Sequence, residues 1–333
     1  MTTLPLVLIG NAKGGTIAAF HVADDALRPA AITAVGEGCG TFAIDDDLVY
    51  SAVRQPSPAI VTLRLDRADG TLTEISRREV EHPLAYIAVA RDGDLVLAAS
   101  YHGGWGATWD STDGVLSEPT SRVVQANMHA VVPTADSRHA YYVSLGDDRI
   151  IVQSLIDGST TTVSCAEGSG PRHLVLSDDQ RSAYLMTEFT GEAIRFDRDP
   201  DTGNLTQAES VEGHDPARAL KTSRFGADPL GERLIWGADL HLAGEGKWLL
   251  TSERTESTIT TIALDDGRLG DAVHHTDTET QPRGFVVSPD GGRAVVVGER
   301  SGQATLYNVL HDGTLSALDR VETGEGPNWV RFA

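Results

Sequence analysis

The sequence predicts an all-β fold: a seven-bladed β-propeller with four-stranded blades, in a single domain over residues 1–333. Three observations carry this. First, one phrase recurs seven times: a turn, a polar residue and a short apolar-rich run. It is clearest in SGPRHLVLSDD from Ser169 and returns as QPRGFVVSPD from Gln281 and GPNWVRF from Gly326, with looser copies from Gly40, Ala85, His129 and Ala238. Equivalent positions fall at 40, 85, 129, 172, 238, 283 and 328, so every step but one is 43 to 45 residues. That is the period of a blade, a small sheet that cannot bury both faces alone. Second, an outer turn recurs at matching places: Asp69-Gly70, Asp113-Gly114, Thr202-Gly203, Asp266-Gly267 and Asp312-Gly313. Glycine before a β-rich run marks a hairpin, because it takes positive φ at no steric cost. Third, Val, Ile, Thr and Ala alternate with polar residues in the runs, and outside one insertion no segment keeps a helical period.

In chain order, residues 6–9 and 16–22 read as the second and third strands of a repeat without a first strand. Residues 328–332 are a first strand with nothing after it. Pairing of the two ends closes the ring and hides both sheet edges. The second blade runs from Gly40 through residues 48–53 and 59–65 to its outer turn. The one long step, 66 residues from 172 to 238, contains an insertion over residues 212–234 rich in Pro, Arg, Gly and Asp. It reads as a loop with room for one helical turn, and extra loops on rigid scaffolds often cover sites.

Lys+Arg 27 against Asp+Glu 48 gives a net charge of −21. This opposes nucleic acid and anionic membrane as partners, since both are bound by basic surface. An anionic ligand can bind only where arginines gather against the overall field. Cys39 and Cys165 are the only cysteines, which suits a reducing compartment. The first residues lack the basic start of a signal peptide, and no run nears the roughly 18 apolar residues of a membrane span, so the expectation is a cytoplasmic protein. Its expected assembly is a monomer or weak dimer.

In a propeller the start of each innermost strand and the end of the second strand share one face of the central channel. First-strand starts offer His129, Arg172, Arg283 and Asn328; second-strand ends offer Glu188, Glu253-Arg254 and Arg300. Charged and polar residues from five blades thus converge where a purely structural ring would place small or apolar ones. Asp239 and His241 alternate on another inner strand, where a hydrogen-bonding role between blades competes with substrate contact. Arginines repel a divalent cation, so neither a metal nor another cofactor is expected. His102 and His274-His275 read as surface or structural, and Trp109-Asp110 as packing.

The motifs GSGPRHLVLS, ADLHL followed by LLTSERTESTI, TQPRGFVVSPDG and GEGPNWV, in that order and densest from Gly168 onward, resemble those of the seven-bladed propeller lactonases. These are the bacterial 6-phosphogluconolactonase group, related to the fungal carboxy-cis,cis-muconate cyclase. The resemblance implies that His129, Arg172, Glu188 and an arginine supplied by Arg254 or Arg283 form the active site. Asn328, Arg300, Asp239 and Glu253 are then the candidates for holding substrate. It also implies hydrolysis of a small anionic sugar lactone, above all 6-phospho-D-glucono-1,5-lactone, a reaction of the pentose phosphate pathway. Water attacking the carbonyl needs a base, Glu188 or His129, and the carbonyl oxygen needs a cation as it gains charge. One of Arg172, Arg254 and Arg283 would supply that cation, the others holding phosphate by bidentate hydrogen bonds. Two other readings stay open on the sequence. One is a lactone-forming cycloisomerase acting on an unsaturated dicarboxylate; the other is a non-enzymatic binding platform, whose arginines would point away from the channel.

Overall fold

A computed structural model of the chain describes residues 4–333 and arranges its strands in seven four-stranded antiparallel sheets. Six blades are simple meanders, numbered here 2 to 7 and spanning residues 42–79, 86–124, 128–164, 171–212, 237–277 and 284–322. Blade 1 joins the two ends of the chain. Its strand order is Pro327–Phe332, Leu6–Asn11, Thr16–Ala23 and Ala26–Ala34, with Val7 opposite Phe332, Leu8 opposite Arg331 and Ile9 opposite Val330. The expected closure is therefore present.

Strand side chains point alternately to opposite faces, and here each face meets a different neighbour. Leu6 and Leu8 pack with Phe42, Val49 and Val61 of blade 2. Val7 and Ile9 pack with Val295, Val297 and Leu306 of blade 7. Five more clusters join the remaining adjacent blades in the same way. The last strand is also tied sideways: the Trp329 indole N–H donates to the Phe42 carbonyl oxygen at 2.8 Å.

The outer turns dock each blade on the one before it. At Asp113-Gly114 both residues have positive φ, 50° and 80°, and the Gly114 carbonyl oxygen accepts from Ser76 Oγ of blade 2 at 2.7 Å. A Cβ on Gly114 would stand 2.9 Å from Thr62 and Ile75. The glycine is thus required by the turn and by the close approach together.

The insertion before blade 6 contains two short helical turns, Pro216–Arg218 and Pro229–Glu232, one more than the sequence suggests. Each starts the same way. Asp215 or Asp228 caps it by accepting a backbone N–H, and a proline follows where no donor is needed. The loop crosses to the channel mouth, where Ser223 N donates to the Phe189 carbonyl oxygen at 2.9 Å.

Because blade 1 takes its inner strand from the far end of the chain, deleting residues 328–333 is expected to lower the melting temperature of the whole ring, not merely to fray one end. Thermal unfolding followed by circular dichroism checks this. A truncated protein that melts with the full-length one would show that closure contributes nothing.

Candidate active site

One mouth of the channel opens into a polar cavity of about 570 Å³. Blade 4 contributes His129, blade 5 Arg172, His173 and Glu188, blade 6 Arg254, blade 7 Arg283 and Glu299, and blade 1 Asn328 and Trp329. Trp236 closes the wall at the end of the insertion. Local backbone explains how so many reach one space. Pairing of Pro171–Leu176 with its neighbour shifts register between Pro171 and His173, and such a bulge lets the successive residues Arg172 and His173 both line the cavity. The same shift flanks His129, between Met128 and Ala130. Glu188 and Arg254 are the first residues after the second strands Ser182–Thr187 and Trp248–Glu253.

At the centre one carboxylate serves two cations. Glu188 Oε2 accepts from Arg172 Nε at 3.0 Å and lies 2.8 Å from Arg254 Nη2. The arginine side chains are only 1% and 2% exposed. Backbone takes some of their other donors: Arg172 donates to the Ala238 carbonyl oxygen, and Arg254 to those of Gly237 at 2.9 Å and Trp236 at 3.2 Å. The Arg254 guanidinium also stacks 4.0 Å from the Trp236 ring centre. Arg283 is different, being 36% exposed and only loosely paired, 4.0 Å from Glu299.

Burial alone would raise the pKa of Glu188, but Arg254, Arg172 and Arg283 outweigh it and hold the carboxyl below its usual range. Arg172 and Arg254 are pushed down, first by burial; guanidinium groups nevertheless keep their protons. His129 is driven well below the ordinary histidine value by burial and then by Arg172, His173 and Arg283. It is neutral at physiological pH. With Lys13 and Arg54 on the facing wall, five cationic side chains meet two carboxylates in this cavity, in a chain whose net charge is −21. Such a site attracts an anion. Among the described residues, no group of three His, Cys, Asp or Glu side chains is placed to hold a metal ion.

Of the candidates from the sequence, His129, Arg172, Glu188, Arg254, Arg283 and Asn328 line this cavity together. The arginines face the channel, not away from it as a binding platform would require. Three expected substrate contacts do not line it. Arg300 is exposed on the turn after Arg293–Gly298; the mouth position is the first residue after the strand, which is Glu299. Glu253 is buried at the end of its own strand. Its carboxylate accepts from the backbone N–H groups of Trp236, Thr255 and Glu256, which shapes the turn that presents Arg254. Asp239 is buried behind His173. His102, expected at the surface or in a structural role, sits at the exposed rim of the cavity.

Sequence reasoning passes over His173, Tyr101, Arg54, Glu299, Trp236 and Trp329, all of which line the cavity. Tyr101, Arg54 and Glu299 each follow directly on a second strand, Leu95–Ser100, Leu48–Val53 and Arg293–Gly298. The rule that selects Glu188 selects them too when extended to every blade.

Known proteins share this architecture. The family described as "Lactonase, 7-bladed beta-propeller" matches residues 6–332. The chain is 28% identical over 296 residues to the 6-phosphogluconolactonase of Enterobacter sp. (strain 638), covering 86% of this chain and 85% of that one. It is 29% identical over 292 residues to the 6-phosphogluconolactonase of Serratia proteamaculans (strain 568), covering 85% and 84%. Among solved structures, a protein from Lactobacillus plantarum superimposes with a TM-score of 0.86 at 25% identity, covering 99% of both chains. With the repeat, the closed ring and the arginine-lined channel already described, a match from residue 6 to residue 332 leaves one conclusion: the chain belongs to the seven-bladed β-propeller lactonase family.

Proposed function

We propose that the protein hydrolyses 6-phospho-D-glucono-1,5-lactone to 6-phosphogluconate, without a metal ion, as a cytoplasmic step of the pentose phosphate pathway. The observation that carries this is the buried Arg172–Glu188–Arg254 cluster facing Arg283 within a single cavity. Such a substrate has an anion at one end and a carbonyl that becomes an oxyanion at the other. Guanidinium groups bind phosphate through paired hydrogen bonds and also stabilise developing negative charge. The same positive charge opposes a divalent cation, so the cations of the site are supplied by the chain itself. Relatives carrying the name 6-phosphogluconolactonase over most of their length support the choice of substrate. The partner is then a small anionic sugar lactone, not nucleic acid or membrane. The proposed assembly is a monomer or weak dimer.

Within this reading Glu188 holds the arginines. Its Oε2 already meets two guanidiniums, so taking a proton would strip both buried cations of their counter-charge.

The test is the rate of lactone ring opening above the uncatalysed background. The phosphorylated lactone is expected to have the higher kcat/KM, and inorganic phosphate or sulfate to raise KM with kcat unchanged. Catalysis indifferent to phosphate, and equal for phosphorylated and unphosphorylated lactones, would remove the phosphate from the proposal.

Glu188→Gln leaves two buried guanidiniums without a counter-charge, a change that typically costs about 3–5 kcal/mol. The variant is expected to melt lower, and added phosphate to restore part of the loss by binding the folded state. Differential scanning calorimetry with and without phosphate checks both. An unchanged melting temperature would mean that the pairing contributes no stability.

A further inference from the structure

We propose that His173, held by Asp239, is the group that accepts the proton from the attacking water; this rests on the hydrolytic reading above. His173 and Asp239 occupy equivalent places, one residue beyond the repeat positions 172 and 238, on the inner strands of blades 5 and 6. His173 Nδ1 lies 2.7 Å from Asp239 Oδ1, and both side chains are 4% exposed. The carboxylate is itself fixed. Its Oδ1 accepts from Leu240 N at 3.0 Å and its Oδ2 from Phe285 N at 3.4 Å, while the backbone N–H of Asp239 donates to Ser252 Oγ at 3.0 Å.

An ionised carboxylate only accepts, so Nδ1 carries the proton and Nε2 keeps its lone pair. Nε2 is buried and has no hydrogen-bond partner among the described residues, although the residue lines the cavity. Buried polar atoms are nearly always paired. One left without a protein partner, in a residue that lines a binding cavity, keeps a lone pair that no protein group occupies and that a ligand or a reacting water can engage on reaching it.

The alternatives are less suited. Glu188 is committed to two arginines. His129 would have to become a cation facing Arg172, Arg283 and Arg254, and among the described residues no carboxylate stands at hydrogen-bond distance from it. His173 faces Arg172 and Arg331 as well, but a carboxylate adjoins it. A carboxylate behind imidazole fixes the tautomer and stabilises the imidazolium formed during attack. The ring is clamped edge-on by Tyr86 at 5.3 Å and His129 at 5.1 Å between centres.

In the step itself, the water oxygen bonds to the lactone carbonyl carbon, its proton passes to His173 Nε2, and the carbonyl π electrons move to the oxygen facing the guanidiniums. Collapse re-forms the carbonyl and breaks its bond to the ring oxygen. That oxygen leaves as a hydroxyl, taking the proton back from His173.

Burial, then Arg172, pushes His173 down to about 4 against the pull of Asp239. The ring is neutral, and able to accept, above that value; activity falls as the pH drops through it. The charged and titratable groups that set this limb are Arg172, Arg331, Asp239, His129 and Tyr86, together with His241, whose Nε2 lies 3.5 Å from the other oxygen of Asp239.

The experiment compares kcat, KM and melting temperature of the full-length protein with those of His173→Gln and Asp239→Asn, and records imidazole 15N–1H spectra of the wild type. His173→Gln is expected to lower kcat by about 10²–10⁴-fold with KM within about threefold. Asp239→Asn is expected to lower kcat at least about tenfold and to move the acid limb of kcat/KM to lower pH, since the imidazolium loses its counter-charge. The wild-type spectrum should show His173 protonated on Nδ1. A His173→Gln enzyme that keeps kcat, a loss confined to KM, or a wild-type ring protonated on Nε2 overturns the assignment while leaving the lactonase reading intact. A wild-type protein inert towards lactones overturns that reading, and this inference with it.

Discussion

Every sheet in this chain has two apolar faces and only four strands, so none can stand alone; the ring is the constraint from which the rest follows. Leu6 and Leu8 need blade 2, Val7 and Ile9 need blade 7, and the same dependence passes round the circle. Pairing of Pro327–Phe332 with Leu6–Asn11 completes it and removes the free strand edges that an open arc would expose. Closure also brings seven strand starts around one axis. Residues more than a hundred positions apart, such as His129 and Arg283, then line a single cavity.

That cavity carries the electrostatic cost. Burying Arg172 and Arg254 requires their desolvation, and one Glu188 carboxylate with a set of backbone carbonyls compensates them only in part. An interior optimised for stability alone would be apolar here. The excess positive charge sits in a strongly acidic protein, so an anion loses favourable water contacts on entry but gains several fixed donors that need no reorganisation. Arg283, more exposed than the other two, is the arm best able to adjust to a ligand.

The two layers of the site divide the chemistry. Residues at the repeat positions, His129, Arg172, Arg283 and Asn328, form the mouth. One step further along, His173 and Asp239 form a buried pair whose partners come from blades 6 and 7. The bulge between Pro171 and His173 lets one strand serve both layers. Charge for binding and a neutral, carboxylate-backed imidazole for proton transfer are thereby kept apart by a single residue of chain.

The fold was almost fully legible in the sequence, because a period in the forties, glycine-bearing outer turns and complementary chain ends are properties of the chain itself. The convergence of His129, Arg172, Glu188, Arg254, Arg283 and Asn328 was legible for the same reason: equivalent places in a repeat become equivalent places around an axis. What the sequence could not determine is the position of each side chain to within one residue. Alternation in a strand has period two, so a slip of one residue exchanges the two faces. On that margin the cavity takes Glu299 where Arg300 was expected, and Glu253 turns under to shape its own loop. The pairing of His173 with Asp239 lies further out of reach. It joins residues 66 positions apart across two blades, and it depends on a bulge that leaves no mark in the pattern of apolar residues.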